Sequence, residues 1–62
     1  MSTAFVLPLS RKAKNRFANV MNHDHECIIE QRKTDRVFLT SGNGKYHFWA
    51  SLINDPDWAV EI

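Results

Sequence analysis

Two histidines and a cysteine at alternate positions, His23, His25 and Cys27, are the residues best suited to bind a metal. On an extended strand this spacing points three side chains to one side, and imidazole with thiolate suits Zn²⁺. A zinc site needs a fourth ligand, and the chain has no second ligand pair. His47 remains, but the register derived below places it on the opposite face from Cys27. We therefore interpret the trio as a polar helix-to-strand connection with a buried cysteine, and expect no metal and no other cofactor.

Cysteine with histidine is also the one nucleophile and base pair that the sequence offers. Cys27 stands in an isoleucine-rich strand, where burial raises the pKa of a thiol and makes it unreactive. Asp55 and Asp57 lie in a predicted turn, where carboxylates serve as caps. The segment Gly42-Asn43-Gly44 matches no phosphate-binding or dinucleotide-binding loop. We expect no catalytic residue, no enzymatic activity and no small-molecule substrate.

The first 22 residues carry four cations and no acid: Arg11, Lys12, Lys14 and Arg16. They come early in a predicted helix, where the helix dipole disfavours each cation by about 0.3–1 kcal/mol. Helix stability therefore does not explain them. Contact with nucleic-acid phosphates would explain these four cations, and it would make nucleic-acid binding salt-dependent. A solvated helix face and contact with an acidic protein surface are the other interpretations, and the net charge of +1 favours no class of partner.

The first predicted element is a helix from about Arg11 to Met21. The Ser10 hydroxyl can accept a backbone N–H as the N-cap, and Asn22 suits the left-handed conformation that ends a helix. Apolar residues at helical spacing form one face: Leu9, Ala13, Phe17, Val20 and Met21. The helix is short, so it needs a packing partner to be stable in water.

Three strands follow, at about Glu26 to Arg32, Arg36 to Ser41 and Lys45 to Ile53. The sequence thus predicts an α+β fold in the order α-β-β-β, with one N-terminal helix packed on a three-stranded antiparallel sheet. Residues 1–62 would form a single small domain. Pro8 limits Ala4 to Leu7 to an edge strand at most. The segment after Asn54 predicts a short C-terminal turn or strand.

The α-β-β-β order resembles the first part of a double-stranded RNA-binding domain. Such domains continue into a basic second helix, whereas this chain ends in the acidic segment Asp57 to Ile62. No residue role is carried over from this resemblance.

The dipeptide Asn43-Gly44 between two apolar runs predicts a β-hairpin with a two-residue type I′ turn. The resulting register pairs Leu39 with Phe48 and Phe38 with Trp49. Alternation then gives a first face that we assign to the helix: Val37, Leu39, Tyr46, Phe48, Ala50 and Leu52. A three-residue loop, Lys33 to Asp35, would bring Cys27 and Ile29 onto the same face.

The second face of this sheet carries Ile28, Phe38, His47, Trp49 and Ile53. Each large aromatic ring buries roughly 150–250 Å² when covered, and an uncovered patch of this kind indicates an interface. Three occupants remain open. They are the chain's own Phe5–Leu7 or Trp58–Val60 segment, a protein partner or second copy of the chain, and nucleic-acid bases stacked on the aromatic rings.

These patterns predict a non-enzymatic binding or regulatory protein that associates with a protein partner, or with itself, through the second face. The alternative is a weak nucleic-acid binder that uses the basic helix. The single cysteine excludes an intramolecular disulfide and favours the reducing cytoplasm. No apolar stretch approaches the roughly 18 residues of a membrane span. A chain this short would also suit a virus- or plasmid-encoded regulator of a host protein.

Overall fold

The computed structural model describes residues 2–62 of the chain. Its elements are β1 (Thr3–Pro8), α1 (Arg11–Asn19), β2 (Glu26–Arg32), β3 (Arg36–Ser41), β4 (His47–Ser51) and β5 (Trp58–Glu61). The five strands form one antiparallel sheet in the order β4-β3-β2-β1-β5, curled into a half-barrel. The prediction of a three-stranded sheet preceded by a helix is therefore wrong, because α1 lies between two paired strands.

The N-terminal segment is an interior strand, not an edge strand. Just after β1, the Leu9 N–H donates to the Asp57 carbonyl, on the β5 side, at 2.7 Å. Because the N–H groups of successive strand residues point to opposite sides, the Pro8 nitrogen, which has no hydrogen to donate, points towards β2. The strand pairing between β2 and β1 ends at Phe5 opposite Glu26, before it reaches Pro8. Pro8 thus leaves no gap in the sheet, and β1 can pair on both sides. Because β1 precedes α1, the chain does not have the α-β-β-β order on which the resemblance to a double-stranded RNA-binding domain was based.

Helix α1 begins where Ser10 predicts and ends two residues earlier than expected. The Ser10 hydroxyl accepts the Ala13 N–H at 3.0 Å. After Asn19, the Val20 and Met21 N–H groups both donate to the Arg16 carbonyl. Asn22 and His23 then adopt left-handed conformations, with φ of 53° and 61°. Two consecutive left-handed residues turn the chain sharply towards β2.

The β3–β4 hairpin has the predicted register but a different turn. Phe38 pairs with Trp49 and Leu39 with Phe48, as expected. The turn is closed by the Gly44 N–H donating to the Ser41 carbonyl at 2.8 Å. Of the loop residues, Gly44 has a positive φ of 76° and Asn43 does not, so the type I′ assignment is wrong.

The side chain of Asn43 explains this turn, because it forms three hydrogen bonds. Its carbonyl oxygen accepts from the Ser41 hydroxyl at 2.6 Å and from the Lys45 N–H at 3.0 Å. Its amide donates to the Val20 carbonyl at 2.7 Å. The hairpin loop is thereby fastened to the end of α1.

A β-bulge in β2 sets the faces of that strand. The Lys33 N–H donates to the Arg36 carbonyl at 2.8 Å, which leaves an even, two-residue turn where the sequence predicted an odd loop. In the register shift between Ile29 and Gln31, Glu30 is the extra residue of the bulge. This one extra residue returns Ile29 and Cys27 to the face on which an odd loop would have placed them. Cys27 therefore faces inward as predicted, by a different route.

The core fills the concave face of the half-barrel. The predicted inward residues of the hairpin are there, with Val37, Leu39, Phe48 and Ala50 buried. The residues that join them come from every other element and from the α1–β2 connection: Ala4, Val6, Ala13, Phe17, Met21, Cys27 and Trp58. Tyr46 and Leu52, which were also predicted to face inward, are half-buried and pack against this core.

Gly42 packs so closely against Asp24 and Glu26 that no larger residue fits without a collision. Substitution of Gly42 therefore tests the contact between the β3–β4 loop and the start of β2. A Cβ on Gly42 would collide with the Asp24 carboxylate and would lie 2.9 Å from the Glu26 carbonyl oxygen. We expect Gly42→Ala to lower the free energy of unfolding by about 1–3 kcal/mol, measured by urea denaturation.

The control is a double-mutant cycle with Asp24→Ala, which removes the side-chain obstacle. The cost of Gly42→Ala should be smaller in that background, since only the Glu26 carbonyl remains in the way. An equal cost in both backgrounds would show that Asp24 does not limit the space at Gly42.

Candidate functional site

The convex outer face of β2, β3 and β4 carries the predicted aromatic patch. Phe38 and Trp49 lie opposite each other with ring centroids 5.0 Å apart, and the Phe38 ring stacks on His47 at 6.2 Å. Ile28 joins them in the row with Thr40 and His47. Trp49 is 44% exposed. Ile53 is 65% exposed but follows the end of β4, so it lies outside the paired strands.

Neither terminal segment covers this patch. Residues Phe5 to Leu7 belong to β1, within the sheet, and Phe5 and Leu7 are themselves 48% and 46% exposed. Trp58 is buried in the core on the other side of the sheet. The interpretation that the chain covers its own second face is therefore wrong. Sequence reasoning also missed Phe5 and Leu7 as outward apolar residues, since it did not recognise β1.

Charged residues border the patch on one side. The Arg36 guanidinium lies 5.3 Å from the centroid of the Trp49 ring, a cation–π contact. Lys33 is paired with Arg36 at the end of the β2–β3 hairpin. Thr40 contacts the Glu30 carboxylate at 3.2 Å and His47 Nδ1 at 3.0 Å. The patch therefore carries a cation, Arg36, directly beside Trp49.

A second feature is a pocket of about 130 Å³, which we call the β4 cleft. Its walls come from three parts of the chain: α1 with Lys12, Ala13 and Arg16, β4 and the residue before it with Tyr46, Phe48 and Trp49, and the segment before and into β5 with Asp55, Asp57 and Trp58. The rings form a ladder, since Tyr46 stacks on Phe48 at 5.2 Å and Phe48 stacks on Trp58 at 4.8 Å.

The four helix cations do not act as one surface. All are exposed, but Lys12 and Arg16, one turn apart, line the β4 cleft, while Arg11 and Lys14 do not. The Arg16 guanidinium lies 5.8 Å from the centroid of the Tyr46 ring. Because α1 ends at Asn19, Arg16 is in the last turn, where the dipole favours a cation. The expectation that all four are disfavoured is wrong for Arg16.

Asp55 is a capping residue, as interpreted from the sequence. One carboxylate oxygen accepts the Ser51 N–H at 2.7 Å. The other accepts the N–H groups of Asp57 and Trp58, at 2.8 and 3.0 Å. Both oxygens of Asp55 thus hold the β4–β5 connection in place.

The histidine and cysteine trio is not arranged as a metal site. His23 lies in the left-handed turn before β2, so the three residues do not share one extended strand. The His25 ring contacts the Val6 carbonyl at 3.0 Å and stacks on Phe5. Within residues 2–62 there is no group of three or more His, Cys, Asp or Glu side chains placed to hold a metal ion. In the same range, no helix is long and apolar enough to cross a membrane.

Cys27 is fully buried, and its thiol is a poor nucleophile at neutral pH. Burial, with a smaller effect of the Asp24 carboxylate, raises the pKa of the thiol from 9.0 to about 11. Cys27 is therefore a core residue with the chemistry of a small apolar side chain.

This raised pKa predicts a loss of stability in alkali. The unfolded thiol loses its proton near pH 9, whereas the folded thiol keeps it until about pH 11. The folded state then binds more protons between these values, so stability present below pH 9 is lost as the pH rises to 11. In urea denaturation from pH 8 to 11, the free energy of unfolding of the wild type should fall by at most about 3 kcal/mol more than that of Cys27→Ala. Every other titratable group is present in both proteins, so parallel pH dependences would contradict the prediction.

Comparison of the chain with protein-family models, with curated proteins and with solved structures found no match.

Proposed function

We propose that this chain is a non-enzymatic binding protein that associates with a protein partner through its outer face. The observation that carries the proposal is the exposed Trp49, which is held by Phe38 on one side and Arg36 on the other. Large aromatic and arginine side chains supply most of the binding energy in protein interfaces. Here they stand together on the face that the core leaves free.

Folding covers the Trp49 ring only in part, through Phe38 and Arg36, and leaves it 44% exposed. The concave face is filled by the core, and Trp49 alternates away from its buried neighbours Phe48 and Ala50. A large ring that remains in water forgoes the burial that stabilises a small domain. Association would recover that burial.

The charge beside Trp49 indicates the kind of partner. The Arg36 guanidinium lies against Trp49 at one end of the β3–β4 face, so a complementary surface is apolar at its centre and carries a carboxylate at that border. Such complementarity directs encounter and orientation. The single buried cysteine fits a protein that works in the reducing cytoplasm.

Loss of the Trp49 ring should abolish association. We expect the immobilised wild type to capture a protein from extract of the cells that make it, and Trp49→Ala to bind the purified partner at least about 30-fold more weakly. The matched control is Ile62→Ala, which removes a 54% exposed apolar side chain near the end of β5. Ile62→Ala should bind as the wild type does.

Two results would contradict the proposal, and a third would identify the partner. Capture that Trp49→Ala leaves unchanged would move the interface elsewhere. Capture that disappears after nuclease treatment, and with Lys12 and Arg16 changed to Ser, would indicate nucleic-acid binding through the helix. Sedimentation of the pure wild type as a dimer, dissociated by Trp49→Ala, would identify the partner as a second copy.

A further inference from the structure

We propose that the partner of the aromatic patch is a second copy of this chain, bound head to tail. The patch consists here of Phe38 and Trp49 with Arg36 at its border, and it would dock on the outer side of β1 of the next copy. This inference rests on the proposed function, because it names the partner of the same surface. It depends on a second apolar patch, whose border charges are opposite to those of the first.

The second patch, which we call the β1 patch, also lies on the convex face of the sheet. Phe5 and Leu7 alternate with buried residues along β1 and are each nearly half exposed. Leu7 lies opposite the small Ala59 of β5. The His25 ring stacks on Phe5 with centroids 4.9 Å apart, and Phe5 belongs to a strand that is paired on both sides. The sheet therefore holds two apolar side chains in fixed positions at its outer surface.

Carboxylates flank the β1 patch on both sides. Phe5 pairs with Glu26 of β2 on one side and with Glu61 of β5 on the other. Residues directly opposite each other in an antiparallel pair share one face, with Cβ atoms about 4.5–5.5 Å apart. Both glutamates are exposed. The β1 patch is therefore apolar at its centre and acidic at its borders, which is the surface that Trp49 with Arg36 requires.

The two patches complement each other in shape of charge and in apolar content. Trp49 would pack against Phe5 and Leu7, while the Arg36 guanidinium beside it would meet one of the flanking glutamates. Arginine forms charge-assisted, often bidentate, hydrogen bonds with a carboxylate. The net charge of the chain is only +1, so long-range repulsion between copies is weak.

The aromatic patch is acidic at its other border, and this fixes the orientation of the contact. Glu30 lies there, where its carboxylate accepts the Thr40 hydroxyl at 3.2 Å. An acidic surface therefore suits only the Arg36 side of the patch. Opposite charges of this kind determine orientation more than affinity.

Symmetric pairing of either patch with itself is disfavoured. A two-fold axis through Phe5 would place Glu26 of one copy against Glu61 of the other, since the two glutamates stand on opposite sides of the ring. A two-fold axis through Trp49 would bring two Arg36 side chains together. Like charges in contact oppose association. The favoured contact is therefore heterologous, so that each copy uses two different surfaces.

Both patches of one copy can be occupied at the same time. The β1 patch and the aromatic patch lie on opposite sides of β2, in a sheet that curls into a half-barrel. They therefore face different directions. A heterologous contact gives a ring if its rotation closes and an open chain if it does not. In both cases assembly continues beyond a dimer as the concentration rises.

Complementary variants test this contact. In sedimentation velocity, the wild type should form species larger than a dimer as its concentration rises from about 10 μM to about 1 mM. Trp49→Ala retains only the β1 patch, and Phe5→Ala retains only the aromatic patch. Each variant alone should associate at least about tenfold more weakly than the wild type. An equimolar mixture should form a dimer and stop there, because each copy then has one usable surface.

Charge reversal gives a second test, which decides the matter if Phe5→Ala does not fold. Arg36→Glu and Glu61→Arg should each weaken self-association by at least about tenfold. Their equimolar mixture should associate again, because one variant keeps Arg36 and the other keeps Glu61. The control is Lys14→Glu, which changes the net charge as Arg36→Glu does but lies on α1, outside both patches. Lys14→Glu should associate as the wild type does.

The failure of this inference is distinguishable from that of the proposed function. A wild type that stays monomeric up to about 1 mM, yet captures a different protein through Trp49, would overturn the inference and leave the proposed function standing. Self-association that Trp49→Ala abolishes but Phe5→Ala and Glu61→Arg leave unchanged would do the same. Self-association that Trp49→Ala leaves unchanged would overturn the inference, and unchanged capture by that variant would overturn the proposed function.

Discussion

The stacking of Trp58 on Phe48 is the contact on which the rest of the structure depends. These rings come from the two edge strands of the sheet, β5 and β4, and lie 4.8 Å apart without any backbone pairing between the strands. Phe17 of α1 meets the same Trp58 ring. A 62-residue chain has few large side chains for its core, and three of them meet here. This cluster holds the sheet in its curled form and fixes the helix within it.

The placing of the last strand follows from this cluster. The β4–β5 connection must return Trp58 to a position beside Phe48, and Asp55 organises that return by binding three backbone N–H groups. The same connection forms one wall of the β4 cleft. Core packing and the β4 cleft thus share the rings of Phe48 and Trp58.

Local features of the fold could be predicted from the sequence, because each depends on residues close together in the chain. The Ser10 cap and the pairing of Phe38 with Trp49 are of this kind. The sequence allowed a strand at each end of the chain, but the pairing of β1 with β5 could not be predicted, since Val6 pairs with Val60 across almost the whole chain. No local pattern indicates that these two segments lie side by side. The bulge at Glu30 has no signature in the sequence either, because it compensates an even turn several residues away.

The same distinction between neighbouring and distant residues decides which parts of the candidate sites could be predicted. The exposed Trp49 follows from hairpin register alone, so sequence reasoning reached it. The outward Phe5 and Leu7 depend on recognising β1, and the β4 cleft depends on three segments distant in the chain. The cations of α1 were singled out together by sequence, yet the helix geometry separates Lys12 and Arg16 from Arg11 and Lys14. Spacing along a helix, rather than number of charges, decides which of them face a site.

The Asp55 cap has a further consequence for how copies of the chain meet at high concentration. Leu52 bonds to Asp35 of the neighbouring hairpin, so the Ser51 N–H points away from β3, along the outer border of the sheet. An unpaired strand border is a template on which other strands add and fibrils grow. By occupying this N–H with a carboxylate, Asp55 places a negative charge where the carbonyl of an incoming strand would dock. One side chain therefore positions the last strand and also keeps one N–H group of this border from pairing with an added strand.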